Sequence, residues 1–76
     1  MSATYTRFGS IVRDARRRQG WSQEVFAERA DLNRSYLGEI ERGDVVPSLQ
    51  TLAKLAAALE VRLSELIQRC EQESHA

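Results

Sequence analysis

Apolar residues recur at three- and four-residue spacings along most of the chain, and no segment alternates apolar and polar residues as a β-strand does. This spacing predicts an all-α domain with five helices. The first helix is expected from about Thr6 to Gln19, and the fifth opens at Ser64 and frays after about Gln72. Inward-facing positions in the first, fourth and fifth helices are Phe8, Ile11, Val12, Ala15; Leu49, Leu52, Leu55, Ala56, Leu59; and Leu63, Leu66, Ile67, Cys70.

Capping residues mark the predicted ends of the helices. Gly20 is expected to end the first helix in the left-handed conformation, where glycine has no Cβ penalty. Ser22 is the expected N-cap of the second helix, and Trp21 and Phe26 have the spacing of a hydrophobic staple. The remaining boundaries are Asn33 and Gly43 around the third helix, and Pro47 and Ser48 before the fourth.

The second and third helices match the helix-turn-helix motif, with a three-residue turn and the small residues Ala27 and Ala30 where the helices approach. At about 100° per residue, the third helix divides into two faces. One is polar with a central glycine and flanking arginines, as a helix needs if it enters a DNA groove while its other face packs on a core. The polar face holds Arg34, Ser35, Gly38, Glu39 and Arg42; the other holds Asn33, Tyr36, Leu37, Ile40 and Glu41.

The charge balance argues against a strongly basic nucleic-acid binder, because 11 basic residues are matched by 11 acidic ones. The distribution is uneven, however: the first helix is basic and the last seventeen residues are acidic. Non-specific DNA affinity is therefore expected to be weaker than that of a strongly basic domain. The arginines of the first helix are Arg7, Arg13, Arg16, Arg17 and Arg18.

A chain of 76 residues predicts one domain over residues 1–76, with a core at about 7–70 and modest stability. It has no long apolar run or signal-peptide core, and its single cysteine, Cys70, cannot form an internal disulfide, which favours the cytoplasm. One cysteine and one histidine, His75, cannot build a structural zinc site. No nucleophile–base pair or nucleotide-binding glycine motif is present, so neither an enzyme nor a cofactor is expected.

The chain resembles the Xre family of helix-turn-helix regulators, which includes phage lambda-type repressors, in the strings GWSQEVFAERADLNRSYLGEIERG and PSLQTLAKLAAALEVRLSELI. With the first helix, the resemblance covers about residues 7–68. A chain of this size looks most like restriction–modification controller proteins and small phage-type repressors. The resemblance implies a compact lambda-repressor-like domain, and a transcriptional regulator that binds a near-palindromic double-stranded operator as a homodimer.

Four residues of the polar face are candidate base contacts. Arg34 can grip guanine O6 and N7, Ser35 suits several base edges, and family members contact bases from these two positions. A phosphate clamp is the alternative for Arg34, and capping of backbone amides is the alternative for Ser35. Gly38 either lets the backbone approach DNA or reflects helix packing or simple tolerance of glycine. Glu39 could accept from cytosine N4, but pairing with Arg42 or another arginine is favoured.

Five residues are candidate phosphate contacts. The resemblance places a backbone-contacting glutamine at Gln23, next to Ser22; a solvated amide is the alternative. The Tyr36 ring is expected to pack in the core first, with its hydroxyl directed at a phosphate. Arg42 is assigned to the DNA backbone rather than to a base, and Arg17 to phosphate or solvent.

Arg16 and Glu41 are expected to form a structural ion pair. Glu41 lies on the inward face of the third helix, where an unpaired carboxylate is costly. In the resembling family, an arginine at the Arg16 position meets a glutamate at the Glu41 position across the first and third helices.

The fifth helix is longer than so small a core needs, and controller-type relatives pair through this region. Leu63, Leu66, Ile67 and Cys70 are therefore the expected dimer interface, with an intramolecular lid as the alternative. No membrane or small-molecule ligand is expected. DNA binding is expected to be regulated by protein concentration, through dimerisation. The alternative for the whole chain is an antitoxin or a protein–protein adaptor on the same fold.

Overall fold

The computed structural model describes the backbone of residues 2–75 and the side chains of residues 7–71. Within this part of the chain there are five α-helices and no strand, which confirms the all-α prediction. The helices in chain order are α1 (Ser2–Arg18), α2 (Gln23–Arg29), α3 (Arg34–Arg42), α4 (Leu49–Leu59) and α5 (Leu63–His75).

The outer ends of the first and last helices differ from the prediction. α1 begins at Ser2 rather than near Thr6, because neither proline nor glycine interrupts residues 2–5. The backbone of α5 runs to His75, past the expected end near Gln72. No helix in residues 2–75 combines the length and apolar content needed to cross a membrane.

The core forms where α1 packs against α3 and α5, α2 against α3, and α4 against α5. Leu49 is the one apolar residue of the predicted α4 stripe that points outward, with 67% of its surface exposed. It occupies the first position of α4, before the helix turns onto the core. The largest fully buried side chains are Phe26, Leu37, Ile40, Leu55, Leu66 and Val12.

The C-terminal end of α1 and the N-terminal end of α2 are fixed by local interactions, as the sequence predicts. Gly20 is left-handed with φ of 78°, and the Ser22 hydroxyl accepts a hydrogen bond from the Val25 amide at 3.1 Å. The Trp21 and Phe26 rings lie 5.6 Å apart between centroids, which confirms the staple. These contacts fix the direction in which the chain enters α2.

Gly9 permits an unusually close approach of α1 to α3. A Cβ atom built at this position would lie 2.5 Å from the carbonyl oxygen of Ile40 and 2.6 Å from that of Glu41. Both oxygens belong to the α3 backbone, so no side-chain rotation can relieve the overlap. Glycine at position 9 therefore sets the distance between α1 and α3.

We expect Gly9→Ala to lower the free energy of unfolding by about 1–3 kcal/mol, because the added methyl group forces α1 away from α3. This loss is expected despite the higher helix propensity of alanine, about 1 kcal/mol relative to glycine. Urea unfolding followed by circular dichroism measures the change. Ser10→Ala, at the next position of the same helix, where the side chain is only partly buried, is the control and should differ little from the parent. Equal or greater stability of the Gly9 variant would contradict the close approach.

Candidate nucleic-acid interface

The start of α3 presents polar side chains to solvent while the rest of the helix is anchored. The Asn33 side-chain oxygen caps the helix, accepting from the amides of Ser35 at 2.8 Å and Tyr36 at 3.3 Å. Arg34 and Ser35 follow in the first turn, and both are exposed. Asn33 is also exposed, unlike the inward position expected for it, because an N-cap lies outside the helix. Arg34 and Ser35 are therefore accessible to a ligand.

Two buried aliphatic side chains and one buried charged group anchor the opposite face of α3 in the domain. Leu37 and Ile40 are fully buried, and Glu41 is only 4% exposed. The predicted division of α3 into a polar and an inward face is thus correct for these three residues. A helix anchored in this way cannot rotate about its axis without exposing apolar surface.

Gly38 is buried, whereas the sequence places it on the open face. A Cβ atom built there would lie 3.3 Å from Arg42 Nη1 and 3.8 Å from Gln23 Oε1. The missing side chain makes room for the end of the Arg42 side chain, whereas the Gln23 amide would lie at ordinary contact distance. A ligand at the middle of α3 would therefore meet Gln23 and Arg42 rather than a bare helix backbone.

Arg42 pairs with Asp44 rather than with Glu39. Its Nε donates to Asp44 Oδ2 at 2.9 Å, and the two side chains are 63% and 56% exposed. Gly43 is left-handed with φ of 78°, and the Asp44 amide donates to the Glu39 carbonyl at 2.9 Å. This reversal of the chain brings the Asp44 carboxylate next to Arg42. Glu39 is half-buried on the same side of α3.

A buried charged cluster lies behind α3. Arg16 Nε donates to Glu41 Oε2 at 2.8 Å and Arg16 Nη2 to Glu41 Oε1 at 3.0 Å, which forms the ion pair expected between these two residues. Arg16 Nη1 donates to the Trp21 carbonyl at 3.0 Å. Because the pair is bidentate and the third guanidinium nitrogen also donates a hydrogen bond, the cluster joins α1, the segment before α2, and α3.

Gln23 also belongs to this cluster, and the sequence does not indicate its participation. Its Nε2 donates to Glu41 Oε1 at 3.0 Å, so one N–H of the amide points inward. A primary amide has two N–H donors, and the second remains for a phosphate. The expected phosphate contact from Gln23 thus stays a prediction, now made by a side chain that is already held in place.

The other candidate phosphate contacts have different surroundings. The Tyr36 ring packs against the core and its hydroxyl lies 3.4 Å from Thr51 Oγ1, which agrees with a packing role first. The Ser22 hydroxyl caps α2, and its hydrogen remains available as a donor. Arg17 is exposed on α1.

Asp31 lies in the turn of the motif and is contacted by Lys54, and neither residue is predicted as functional from the sequence. Asp31 is left-handed with φ of 58°. Lys54 Nζ on α4 donates to the Asp31 carbonyl at 3.2 Å and lies 3.7 Å from Asp31 Oδ2. Aspartate is among the few non-glycine residues that adopt this conformation readily, so an aspartate between two predicted helices was the available signal.

The apolar stripe of α5 is mostly internal, which corrects its assignment to a dimer interface. Leu66 is fully buried and Cys70 is 8% exposed, both within the core of the subunit. They therefore cannot form the contact surface of a partner. Leu63 is partly buried against the core, whereas Ile67 is 38% exposed. Of the four residues, Ile67 has the most accessible surface, and the alternative of an intramolecular lid describes Leu66 and Cys70.

We expect Arg16→Met to lower the free energy of unfolding by about 3–5 kcal/mol, because it leaves the buried Glu41 carboxylate without its cation. The double variant Arg16→Met/Glu41→Leu should recover much of this loss, since no uncompensated charge remains. Chemical unfolding of the parent, the two single variants Arg16→Met and Glu41→Leu, and the double variant gives the coupling free energy. Glu65→Ala, which breaks the exposed Arg69–Glu65 pair, is the control and should change stability by less than about 1 kcal/mol. Additive losses in the double variant would contradict this account of the cluster.

Comparison with known proteins shows extensive similarity to regulators. The chain is 46% identical over 59 residues to the HTH-type transcriptional regulator SlrR of Bacillus subtilis, covering 76% of this chain but 39% of SlrR. It is 41% identical over 68 residues to the control protein C.MunI of a Mycoplasma species, covering 88% of this chain and 92% of C.MunI. Both relatives are regulatory proteins rather than enzymes, which agrees with the prediction that this chain is not an enzyme.

Solved structures show the same fold. The restriction–modification controller protein C.AhdI of Aeromonas hydrophila superposes with a TM-score of 0.81 at 42% identity, over 84% of this chain and 97% of C.AhdI. The controller protein C.Esp1396I, solved as a tetramer with its natural 35-base-pair operator, superposes with a TM-score of 0.85 over 96% of both chains. Its identity of 23% supports the shared fold alone.

The helix-turn-helix family HTH_3 matches residues 12–66, from the second half of α1 to the first turn of α5. The match contains both helices of the motif, the turn stabilised by Lys54, and the Arg16–Glu41 pair. The sequence resemblance to Xre-type regulators and the observed five-helix fold lead to the same assignment. This chain belongs to the HTH_3 family of Xre-like helix-turn-helix domains.

Proposed function

We propose that this chain is a sequence-specific transcriptional regulator that places α3 in the major groove of an operator. The observation that supports this most is the exposed first turn of α3, where Arg34 and Ser35 lie on a helix that is anchored on its other side by buried residues. Arg34 can form two hydrogen bonds with guanine O6 and N7, and the Ser35 hydroxyl can donate or accept. The first turn of a recognition helix is where base contacts concentrate.

The buried cluster supports this role because it fixes α3 relative to its neighbours. Arg16 and Glu41 join α1 to α3, and Gln23 adds α2 through the same carboxylate. A contact by Gln23 with a phosphate would therefore set the register of α3 in the groove. Phosphate contacts of this kind position a protein on DNA, while the contacts of Arg34 and Ser35 distinguish sequences.

The shared fold is compatible with an assembly of more than one copy, because C.Esp1396I binds its operator as a tetramer on this fold. We infer a homodimer whose two α3 helices enter successive major grooves about 34 Å apart on a near-palindromic site. Ile67, with Leu63 beside it, provides the exposed apolar surface of α5 for this contact. A regulator of this kind works in the cytoplasm.

Selection of bound fragments from random double-stranded DNA, at a stated salt concentration, tests the proposal directly. We expect enrichment of one site with approximate twofold symmetry. Binding equally to all duplexes, or no binding at low salt, would exclude a sequence-specific regulator.

We expect Arg34→Ala to weaken binding to the selected operator by about 1–3 kcal/mol and to relax the preference at one base pair of each half-site. Arg62→Ala removes the same charge from an exposed position just before α5, away from α3, and is the matched control. Fluorescence anisotropy with the operator and with single-base variants measures both effects. An equal loss of affinity on every duplex would show that Arg34 contacts phosphate instead.

We expect Ile67→Ser to shift the chain toward monomer and to weaken operator binding, with little loss of stability because the side chain is partly exposed. Sedimentation velocity over a range of protein concentrations measures the shift. Val46→Ser is the control, since Val46 is 62% exposed and lies in the loop between α3 and α4. Leu66→Ser should instead unfold the domain, because Leu66 is fully buried. A parent protein that stays monomeric at high concentration would contradict the dimer.

A further inference from the structure

The Arg42–Asp44 pair has a geometry that stability alone does not explain. Both side chains are more than half exposed, at 63% and 56%, and only Arg42 Nε contacts the carboxylate. Exposed pairs of this kind contribute little to folding stability. The pair also places a negative charge close to the expected DNA surface, which opposes non-specific binding. We therefore consider how the pair with Asp44 positions the Arg42 guanidinium.

Asp44 directs the guanidinium of Arg42 back along α3. Because Nε is used by Asp44, the two Nη groups remain available as donors. Nη1 lies 3.3 Å from the position that a Cβ of Gly38 would take, one helical turn before Arg42. The guanidinium therefore lies over the middle of α3, and the glycine leaves the space that it occupies.

The backbone of Asp44 is held in place. Its backbone amide donates to the Glu39 carbonyl at 2.9 Å, and the left-handed Gly43 fixes the turn between α3 and Asp44. An arginine side chain loses rotamer freedom when it is fixed, and restraining it before binding reduces what the complex loses. Arg42 is thus restrained by a side chain whose backbone is hydrogen-bonded to α3.

We propose that Asp44 is a positioning residue that makes Arg42 a second base-reading arginine. With Nε held by Asp44, the Nη edge is presented over Gly38 toward guanine O6 and N7 in the groove. This replaces the assignment of Arg42 to the DNA backbone, which rested on its place near the end of α3. The proposal depends on the proposed major-groove position of α3, and it gives Gly38 a role in specificity through the space that it leaves.

Operator and non-specific affinities of Asp44→Ala test the proposal. Its matched control, Glu65→Ala, also removes one negative charge and breaks an exposed arginine pair, on α5. We expect the ratio of operator to non-specific affinity to fall about tenfold in Asp44→Ala, with relaxed preference at one base pair, and to stay unchanged in Glu65→Ala. If both variants gain affinity equally on all duplexes, Asp44 is only a repulsive charge and the proposal is wrong.

Arg42→Lys provides the coupling test, because lysine keeps the charge but has neither the Nε–H nor the planar fork. It should lose the same selectivity as Asp44→Ala, and the double variant should lose no more than either single variant. Gly38→Ala should also lower selectivity, since its methyl group would crowd Arg42 Nη1. Additive losses in the double variant would show that the two residues act independently, contrary to the proposal.

A measurement without DNA separates this inference from the proposed function. In nitrogen-15 spectra of the free parent protein, the Arg42 Nε–H signal should be shifted and exchange slowly with solvent, and Asp44→Ala should remove both features. If those features are present but the parent shows no sequence preference, the proposed function fails while the pairing stands. If Asp44→Ala leaves the signal unchanged and the parent still selects an operator, the positioning role of Asp44 is wrong.

Discussion

The buried carboxylate of Glu41 constrains the arrangement of the first three helices. At 4% exposure it cannot be hydrated as in the unfolded chain, so its two oxygens must be satisfied by protein donors. Arg16 supplies two of them and Gln23 a third, from different helices. A displacement of α1 or α2 relative to α3 would leave a charge buried and poorly paired. Specificity of arrangement, rather than net stability, is what such a cluster provides.

The placement of the arginines explains how a chain with no net charge can still offer a surface suited to DNA. The arginines have different surroundings in the fold. Arg16 is buried in an ion pair with Glu41, Arg34 is exposed to solvent, and Arg42 is paired with Asp44. Total charge is therefore a poor guide here. A few oriented donors on a fixed helix favour discrimination between sequences over general attraction to the phosphate backbone.

The sequence was sufficient for features that depend on local chemistry. Helical spacing, the caps at Ser22 and Asn33, and the glycine stop at Gly43 each follow from interactions within a few residues. Contacts between distant segments could not be obtained in this way. The overlap that Gly9 avoids involves carbonyls thirty-one and thirty-two residues away, and a periodic pattern does not reveal it.

Periodicity also cannot rank residues within one apolar stripe. Leu66 and Ile67 are adjacent members of the α5 stripe, yet one is fully buried and the other is 38% exposed. The difference arises from the packing of α5 against other helices, which the spacing of apolar residues in one helix does not reveal. In the same way, the direction of the Gln23 amide depends on a carboxylate eighteen residues away, so its inward hydrogen bond had no local signal.

The chain contains one tryptophan, and its position makes it an optical reporter of the motif. The Trp21 carbonyl accepts from Arg16, its ring stacks near Phe26, and the Arg29 guanidinium lies 4.7 Å from the ring centroid. Indole emission responds to the polarity and the cations around the ring. Intrinsic fluorescence can therefore follow loosening of the junction between α1 and α2 in the unlabelled protein, separately from the overall loss of helix.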